Sequence, residues 1–165
     1  MKIETKVALL FGALLALILF QMRLLPYIAI GNIRPDLFLL AVCYLSLRSG
    51  EAKGALVGFG LGFLEDSLSF SPLGVKALSF ALAGSLLGVV RRGLFWDNPL
   101  TESLLLFSAG IFSGFISLLV LNFFLIPRPV GGTLFRLILP ESFLTALCGF
   151  FFFALFRRWK ELKAK

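Results

Sequence analysis

The chain of 165 residues is 59% hydrophobic, contains 20 phenylalanines and has a mean hydropathy of +0.97. A soluble domain of this size has too little interior to bury so much apolar surface. A soluble helical bundle would also need a polar face on each helix, which these segments lack. Because apolar runs alternate with short charged clusters, the composition predicts a polytopic membrane protein.

The net charge of +7 comes from basic residues grouped at the ends of the apolar runs. This placement is typical of membrane topology, so we expect no nucleic-acid partner. Histidine is absent, which excludes His-based acid–base catalysis and the commonest transition-metal ligand. Cys43 and Cys148 lie within apolar segments and lack metal-ligand spacing. Since no phosphate loop, zinc-protease motif or nucleophile elbow occurs, we expect no enzyme activity, catalytic residue, metal site or cofactor.

The fold class predicted is all-α, an integral membrane bundle of six transmembrane helices that forms a single domain over residues 1–165. The first apolar run is followed by no small-x-small cleavage site, so we interpret it as a retained span. The six predicted spans cover residues 7–25, 36–47, 52–70, 75–90, 100–126 and 134–156.

The basic residues predict that both termini are cytoplasmic. With six spans in this orientation, 11 of the 16 lysines and arginines lie on the cytoplasmic side, as the positive-inside rule requires. The five basic residues left on the outer side are Arg23, Arg34, Lys76, Arg128 and Arg136. The basic tail from Arg157 to Lys165 is typical of segments that contact anionic lipid headgroups.

Small residues recur every fourth position in several of the predicted helices, and two of these ladders are candidate contact faces. Gly54, Gly58 and Gly62 form one stripe in the third predicted helix, and Asp66 continues it. Such a stripe lets another helix approach closely. The first predicted helix has a similar ladder, which consists of Ala8, Gly12 and Ala16. Each ladder predicts either packing within the bundle or a docking face for a helix of another protein.

The lengths of the second and third predicted helices place two acids at a similar depth. Asp36 lies 12 residues before Arg48, which corresponds to roughly 18 Å of helix. Asp66 lies 13 residues after Lys53, or about 20 Å. A hydrocarbon core is about 30 Å thick, so both acids are expected below the outer surface.

These acids predict a polar concavity that opens to the outer side. Intramembrane acids are costly unless they are hydrated, paired or protonated. The alternative is that each aspartate is an ordinary helix cap or interface charge. Further candidates in the outer half are the cations Arg34 and Lys76, the amide Asn122, and Glu141, which follows the helix-interrupting Pro140.

The order of these motifs resembles the rod shape-determining protein MreD family. The shared features are PDLFLL at residues 35–40, RSGE at 48–51, the glycine stripe that ends at Asp66, and SPLG at 71–74. The resemblance implies an inner-membrane scaffold of the bacterial elongation complex. Its implied partners are the bitopic protein MreC and, indirectly, the glycosyltransferase RodA, its penicillin-binding transpeptidase and MreB.

The resemblance also implies a six-helix fold like the S component of energy-coupling-factor transporters. That likeness supplies the alternative function, a protein that binds a small solute or a lipid-linked precursor. Membrane lipids are expected partners in either case. A second copy of the chain, forming a homodimer, is a further candidate partner.

Overall fold

The computed structural model describes residues 33–69, 72–91, 98–124 and 130–163. Helices α1 to α4 cover Leu37–Ser49, Glu51–Ser69, Val75–Val90 and Pro99–Phe124. An α-helical turn, Val130–Thr133, and a π-helical segment, Leu134–Ile138, lead directly into α5, which covers Leu139–Lys163. The prediction of an all-α fold is confirmed. The first predicted span lies outside the described residues, so the six-span count and the orientation of the termini stay predictions.

Five predicted spans correspond to described helices. The prediction of residues 75–90 agrees with α3 at both ends, because the apolar run is bounded by Gly74 and Arg91. The others differ from the structure by a few residues at their ends, except the last. There α5 begins at Leu139, and the turns before it are π-helical rather than a continuation of the α-helix.

The π-helical segment lies where the sequence places Pro140. A proline inside a helix has no N–H to donate, and its ring clashes with the carbonyl four residues earlier, which here belongs to Arg136. Within the π-helical segment the Leu139 N–H donates to the Leu134 carbonyl, five residues back. In the wider turn the Arg136 carbonyl is not paired as it would be in a regular α-helix. The helix can therefore continue through Pro140.

A single residue connects α1 to α2. Gly50 has a φ of 92°, a left-handed conformation that favours glycine, and its N–H caps α1 by donating to the Ser46 carbonyl at 3.0 Å. Its own carbonyl accepts from the Gly54 N–H at 2.8 Å and so joins the first turn of α2. This connection makes α1 and α2 antiparallel neighbours.

The short helix α1 is the centre of the bundle, because it packs against α2, α3, α4 and α5. Over half of its 13 residues are buried. Around it the core contains Leu61, Phe80, Leu87, Leu106, Ala109 and Phe153 from the other four helices. At 13 residues, α1 is about 20 Å long, shorter than a hydrocarbon core.

Helices α3 and α4 meet through a pair of buried hydroxyl groups. Ser79 donates to the Val75 carbonyl at 2.7 Å, and its oxygen lies 2.9 Å from the Ser117 hydroxyl of α4. Since the Ser79 proton is engaged within α3, Ser117 is the donor of the bond between the helices. Such hydrogen bonds between helices are common in membrane bundles.

The outer surface of the bundle is apolar. Among the described residues, two helical stretches are long and apolar enough to cross a membrane, Pro99–Phe123 and Gly131–Leu155. Large apolar side chains stay exposed on α2, α3, α4 and α5, among them Leu56, Phe59, Leu82, Leu104, Phe123, Phe143 and Leu155. An exterior of this kind suits lipid rather than water.

Candidate functional site

The glycine stripe of α2 lies against the backbone of α3. All three glycines are buried. A Cβ atom added to Gly54 would lie 2.5 Å from the Gly84 carbonyl oxygen, and one added to Gly62 would lie 2.5 Å from the Lys76 carbonyl oxygen. At Gly58 the added atom would overlap the Phe80 carbonyl group. The stripe therefore lets α2 and α3 touch backbone to backbone.

Glycines of α3 complete this contact from the other side. A Cβ on Gly88 would lie 2.5 Å from the Cα of Glu51, and one on Gly84 would collide with the Gly54 carbonyl. Ser46 of α1 reaches the same point, with its hydroxyl oxygen 2.9 Å from a Cβ on Gly54. We call the surface formed by Gly54, Gly58, Gly62, Gly84 and Gly88 the glycine interface. It holds three helices together at their closest approach.

At the end of the stripe, Asp66 caps the N-terminus of α3. Its carboxylate accepts N–H bonds from Gly74 at 2.9 Å, Lys76 at 3.1 Å and Ala77 at 3.1 Å. Helix N-termini carry unpaired N–H groups and a partial positive charge, which a carboxylate satisfies. Asp66 is only 1% exposed, so these three donors replace the water that a buried carboxylate loses.

The second predicted acid, Asp36, caps α1 and joins it to two other helices. One carboxylate oxygen accepts from the Leu39 N–H at 2.9 Å, and the other lies 3.4 Å from the Lys76 ammonium. The Asp36 backbone N–H donates to the Thr145 hydroxyl at 2.9 Å, and Thr145 donates to the Glu141 carbonyl at 2.7 Å. The start of α1 is therefore tied to α3 and α5.

Lys76 is the residue that connects both aspartates. Its backbone N–H bonds to Asp66, while its ammonium group pairs with Asp36 and, at 3.2 Å, with Glu65 of α2. The ammonium also lies 5.2 Å from the centre of the Phe80 ring, within the range of a cation–π contact. We call Asp36, Glu65, Lys76 and Thr145 the Lys76 cluster. It links α1, α2, α3 and α5 at one end of the bundle.

A small cavity of about 30 Å³ adjoins this cluster. One water molecule needs a cavity volume of roughly 10 to 15 Å³, so this cavity has room for about two water molecules. Its polar lining comes from four helices and includes Asp36, Lys76, Ser113, Glu141, Ser142 and Thr145. Asp66 lies outside this lining because its carboxylate faces α3.

The geometry supports a structural role for these polar groups. In residues 33–69, 72–91, 98–124 and 130–163, no group of three or more metal-ligating side chains is placed to hold an ion. In the Lys76 cluster one ammonium group pairs with two carboxylates, and Asp36 also closes the start of α1. The arrangement can hold four helices in register and retain a few waters.

Comparison with known proteins agrees with this architecture. A family model described as rod shape-determining protein MreD matches residues 3–159 of the chain. The chain belongs to the MreD family. It is therefore a membrane protein of the family that determines rod shape. No curated protein and no solved structure matches the chain, so the likeness to transporter S components stays a prediction.

The structure places the remaining predicted residues of this MreD chain as follows. Arg34 is exposed, and no ion pair joins it to either aspartate within the described ranges. Asn122 is half-buried near the end of α4 and does not line the cavity. Glu141 lines the cavity beside Asp36 and Lys76. The ladder of Ala8, Gly12 and Ala16 lies outside the described residues.

Two residues of the Lys76 cluster in this MreD chain were missed by sequence reasoning. Glu65 pairs with Lys76, and Thr145 bonds to the start of α1. A signal for Glu65 existed, since it neighbours Asp66 and so lies at the same depth of the membrane. A signal for Thr145 was its spacing of four residues from Glu141, which places both on one helix face.

Proposed function

We propose that this chain is a non-catalytic scaffold of the bacterial elongation (rod) complex in the inner membrane. In this role it binds the transmembrane and juxtamembrane region of MreC and supports lateral peptidoglycan synthesis by RodA and its penicillin-binding transpeptidase under MreB guidance. The chain is multi-pass, with both termini cytoplasmic. Membership of the MreD family supports the role in cell shape, and the positive-inside bias supports the orientation.

The observation that carries the proposal is the way polar groups are used inside the bundle. Asp66 closes α3, Asp36 closes α1, and Lys76 is held between Asp36 and Glu65. Each is engaged in folding, and around them the exterior of the described helices is apolar. A protein built in this way interacts through helix surfaces.

A solute-binding role would need a larger polar pocket. Pockets for small molecules usually enclose about 300 to 1,000 Å³, whereas the cavity beside the Lys76 cluster has about 30 Å³. For the Lys76 cluster, a scaffold role is therefore better supported than the binding of a small solute.

The glycine interface also narrows the choice of docking face. Because α3 occupies the stripe of α2, these glycines are not available to a helix of another protein. The ladder of Ala8, Gly12 and Ala16 is another small-residue face in the sequence. We therefore assign MreC docking to this ladder, where small residues allow a close helix contact.

The test is co-purification of MreC with variants of the full chain in mild detergent. Gly12→Leu enlarges the ladder and should reduce MreC recovery about fivefold or more, since overpacking a close helix contact costs about 1–3 kcal/mol. Gly60→Leu is the matched control, because Gly60 has no atom within 4 Å of an added Cβ. It should retain MreC.

Thermal stability of each isolated variant separates loss of docking from loss of folding. A Gly12→Leu variant that is stable and still retains MreC would exclude the ladder as the docking face. A wild-type chain that fails to retain MreC would exclude the scaffold role in this form.

A further inference from the structure

A cleft lies between the beginning of α4 and the end of α5, and it shares no lining residue with the cavity beside the Lys76 cluster. It has a volume of about 540 Å³. Its lining combines apolar residues with two arginines, namely Pro99, Phe151, Ala154, Leu155, Arg157 and Arg158. The scaffold function described above makes no use of it.

The cleft lies at the level where the membrane-spanning stretches end. The apolar stretch of α4 begins at Pro99, and that of α5 ends at Leu155. Since both residues line the same cleft, the two helix ends reach the same membrane surface side by side. At this membrane surface the protein contacts both the acyl chains and the headgroups of lipids.

The lining is arranged to contact both parts of a lipid. Phe151 and Leu155 are four residues apart, so they form one apolar row on α5 and both are exposed. Ala154 and Arg158 form a second row, in which the small alanine leaves space before the guanidinium group. Arg157 and Arg158 are both exposed just past the apolar stretch.

We propose that this cleft binds one anionic glycerophospholipid from the surrounding leaflet. Guanidinium groups bind phosphate oxygens through paired, charge-assisted hydrogen bonds, so Arg157 and Arg158 hold the headgroup. The acyl chain lies along Phe151 and Leu155. The lipid fills the space between α4 and α5 at the membrane surface and strengthens their contact there.

Native mass spectrometry of the full chain in detergent, with added phosphatidylglycerol or phosphatidylcholine of identical acyl chains, tests the proposal. We expect one phosphatidylglycerol to bind in preference to phosphatidylcholine. Replacing both arginines (Arg157→Gln with Arg158→Gln) should weaken its binding about thirtyfold, since each basic residue near a headgroup contributes roughly a fivefold factor. Ala154→Trp keeps the charge but fills the cleft. It should also abolish the preference for phosphatidylglycerol over phosphatidylcholine.

The matched control is the pair Lys53→Gln with Arg136→Gln. It removes the same charge from exposed positions outside the cleft and should leave phosphatidylglycerol binding unchanged. An equal loss in this control would show that the lipid responds to diffuse surface charge and would overturn the proposal. So would full binding in Ala154→Trp, or displacement of the lipid by inorganic phosphate, which would indicate a site for a free anion.

Discussion

Replacing Gly58 by alanine is the most direct perturbation of the glycine interface. A Cβ at this position would lie 2.6 Å from the Phe80 carbonyl carbon and would also meet the Ala81 backbone nitrogen at 3.0 Å. Ordinary carbon contacts are about 3.5 Å or longer, so α2 and α3 would have to separate by about 1 Å. The obstacle is backbone, and no side-chain rotation can relieve it. We expect this overpacking to cost about 1–3 kcal/mol.

Gly60→Ala is a matched control for Gly58→Ala. Both glycines lie in α2, so replacing either by alanine gains the same helix propensity, about 1 kcal/mol. An added Cβ at Gly60 has nothing within 4 Å. The difference between the two variants therefore isolates the steric cost.

Equilibrium unfolding in mixed micelles, titrated with SDS, would measure the free energy of unfolding of each variant. We expect Gly58→Ala to be less stable than Gly60→Ala by about 1–3 kcal/mol. Equal stability of the two variants would refute the assignment of Gly58 to a backbone contact between α2 and α3.

The remaining predictions concern polar groups, and the same unfolding titration measures them. Asp66→Ala leaves three N–H groups at the N-terminus of α3 without an acceptor and should lower the free energy of unfolding by about 1–3 kcal/mol. The stability of Asp66→Asn should lie between those of the wild type and the alanine variant. An alanine variant as stable as the wild type would contradict the role of Asp66 as a cap. Lys76→Met leaves Asp36 and Glu65 without a cation and should lower the free energy of unfolding by about 3–5 kcal/mol. Adding Glu65→Gln should restore part of that free energy, because one unpaired carboxylate is removed. A double variant no more stable than Lys76→Met would argue against the ion pair. Ser79→Ala should lower the free energy of unfolding by about 1 kcal/mol. Adding Ser117→Ala should lower it little further, because the two hydroxyl groups bond to each other. Fully additive losses would show that the two hydroxyl groups act separately.

The helices of this chain could be predicted from sequence because their ends are marked locally. Gly74 and Arg91 bound α3, and Gly50 forces the turn between α1 and α2. The π-helical segment could not be predicted in the same way. Pro140 indicates an interruption, but whether a helix kinks, begins late or widens depends on the helices packed beside it.

The central position of α1 was also beyond sequence reasoning. Its residues are apolar on all sides, so the sequence contains no polar face that would reveal which side contacts which helix. The role of Asp66 was ambiguous for a related reason. A carboxylate at that depth suits a concavity or a helix cap, and only the position of the α3 N-terminus decides between them. The pairing of Lys76 with Glu65 depends on the direction of a long, flexible side chain.

The order of charges along the chain has a consequence for biogenesis. Asp36, Glu65 and Asp66 leave the ribosome before Lys76, which follows Asp36 by 40 residues. A nascent chain that ends before Lys76 therefore carries these three acids without the Lys76 ammonium that pairs with Asp36 and Glu65. It also lacks the Lys76 and Ala77 N–H groups that bond to Asp66. Exposing unpaired acids to hydrocarbon is costly. We therefore expect α1, α2 and α3 to leave the insertion machinery together, as one preassembled unit, rather than one helix at a time.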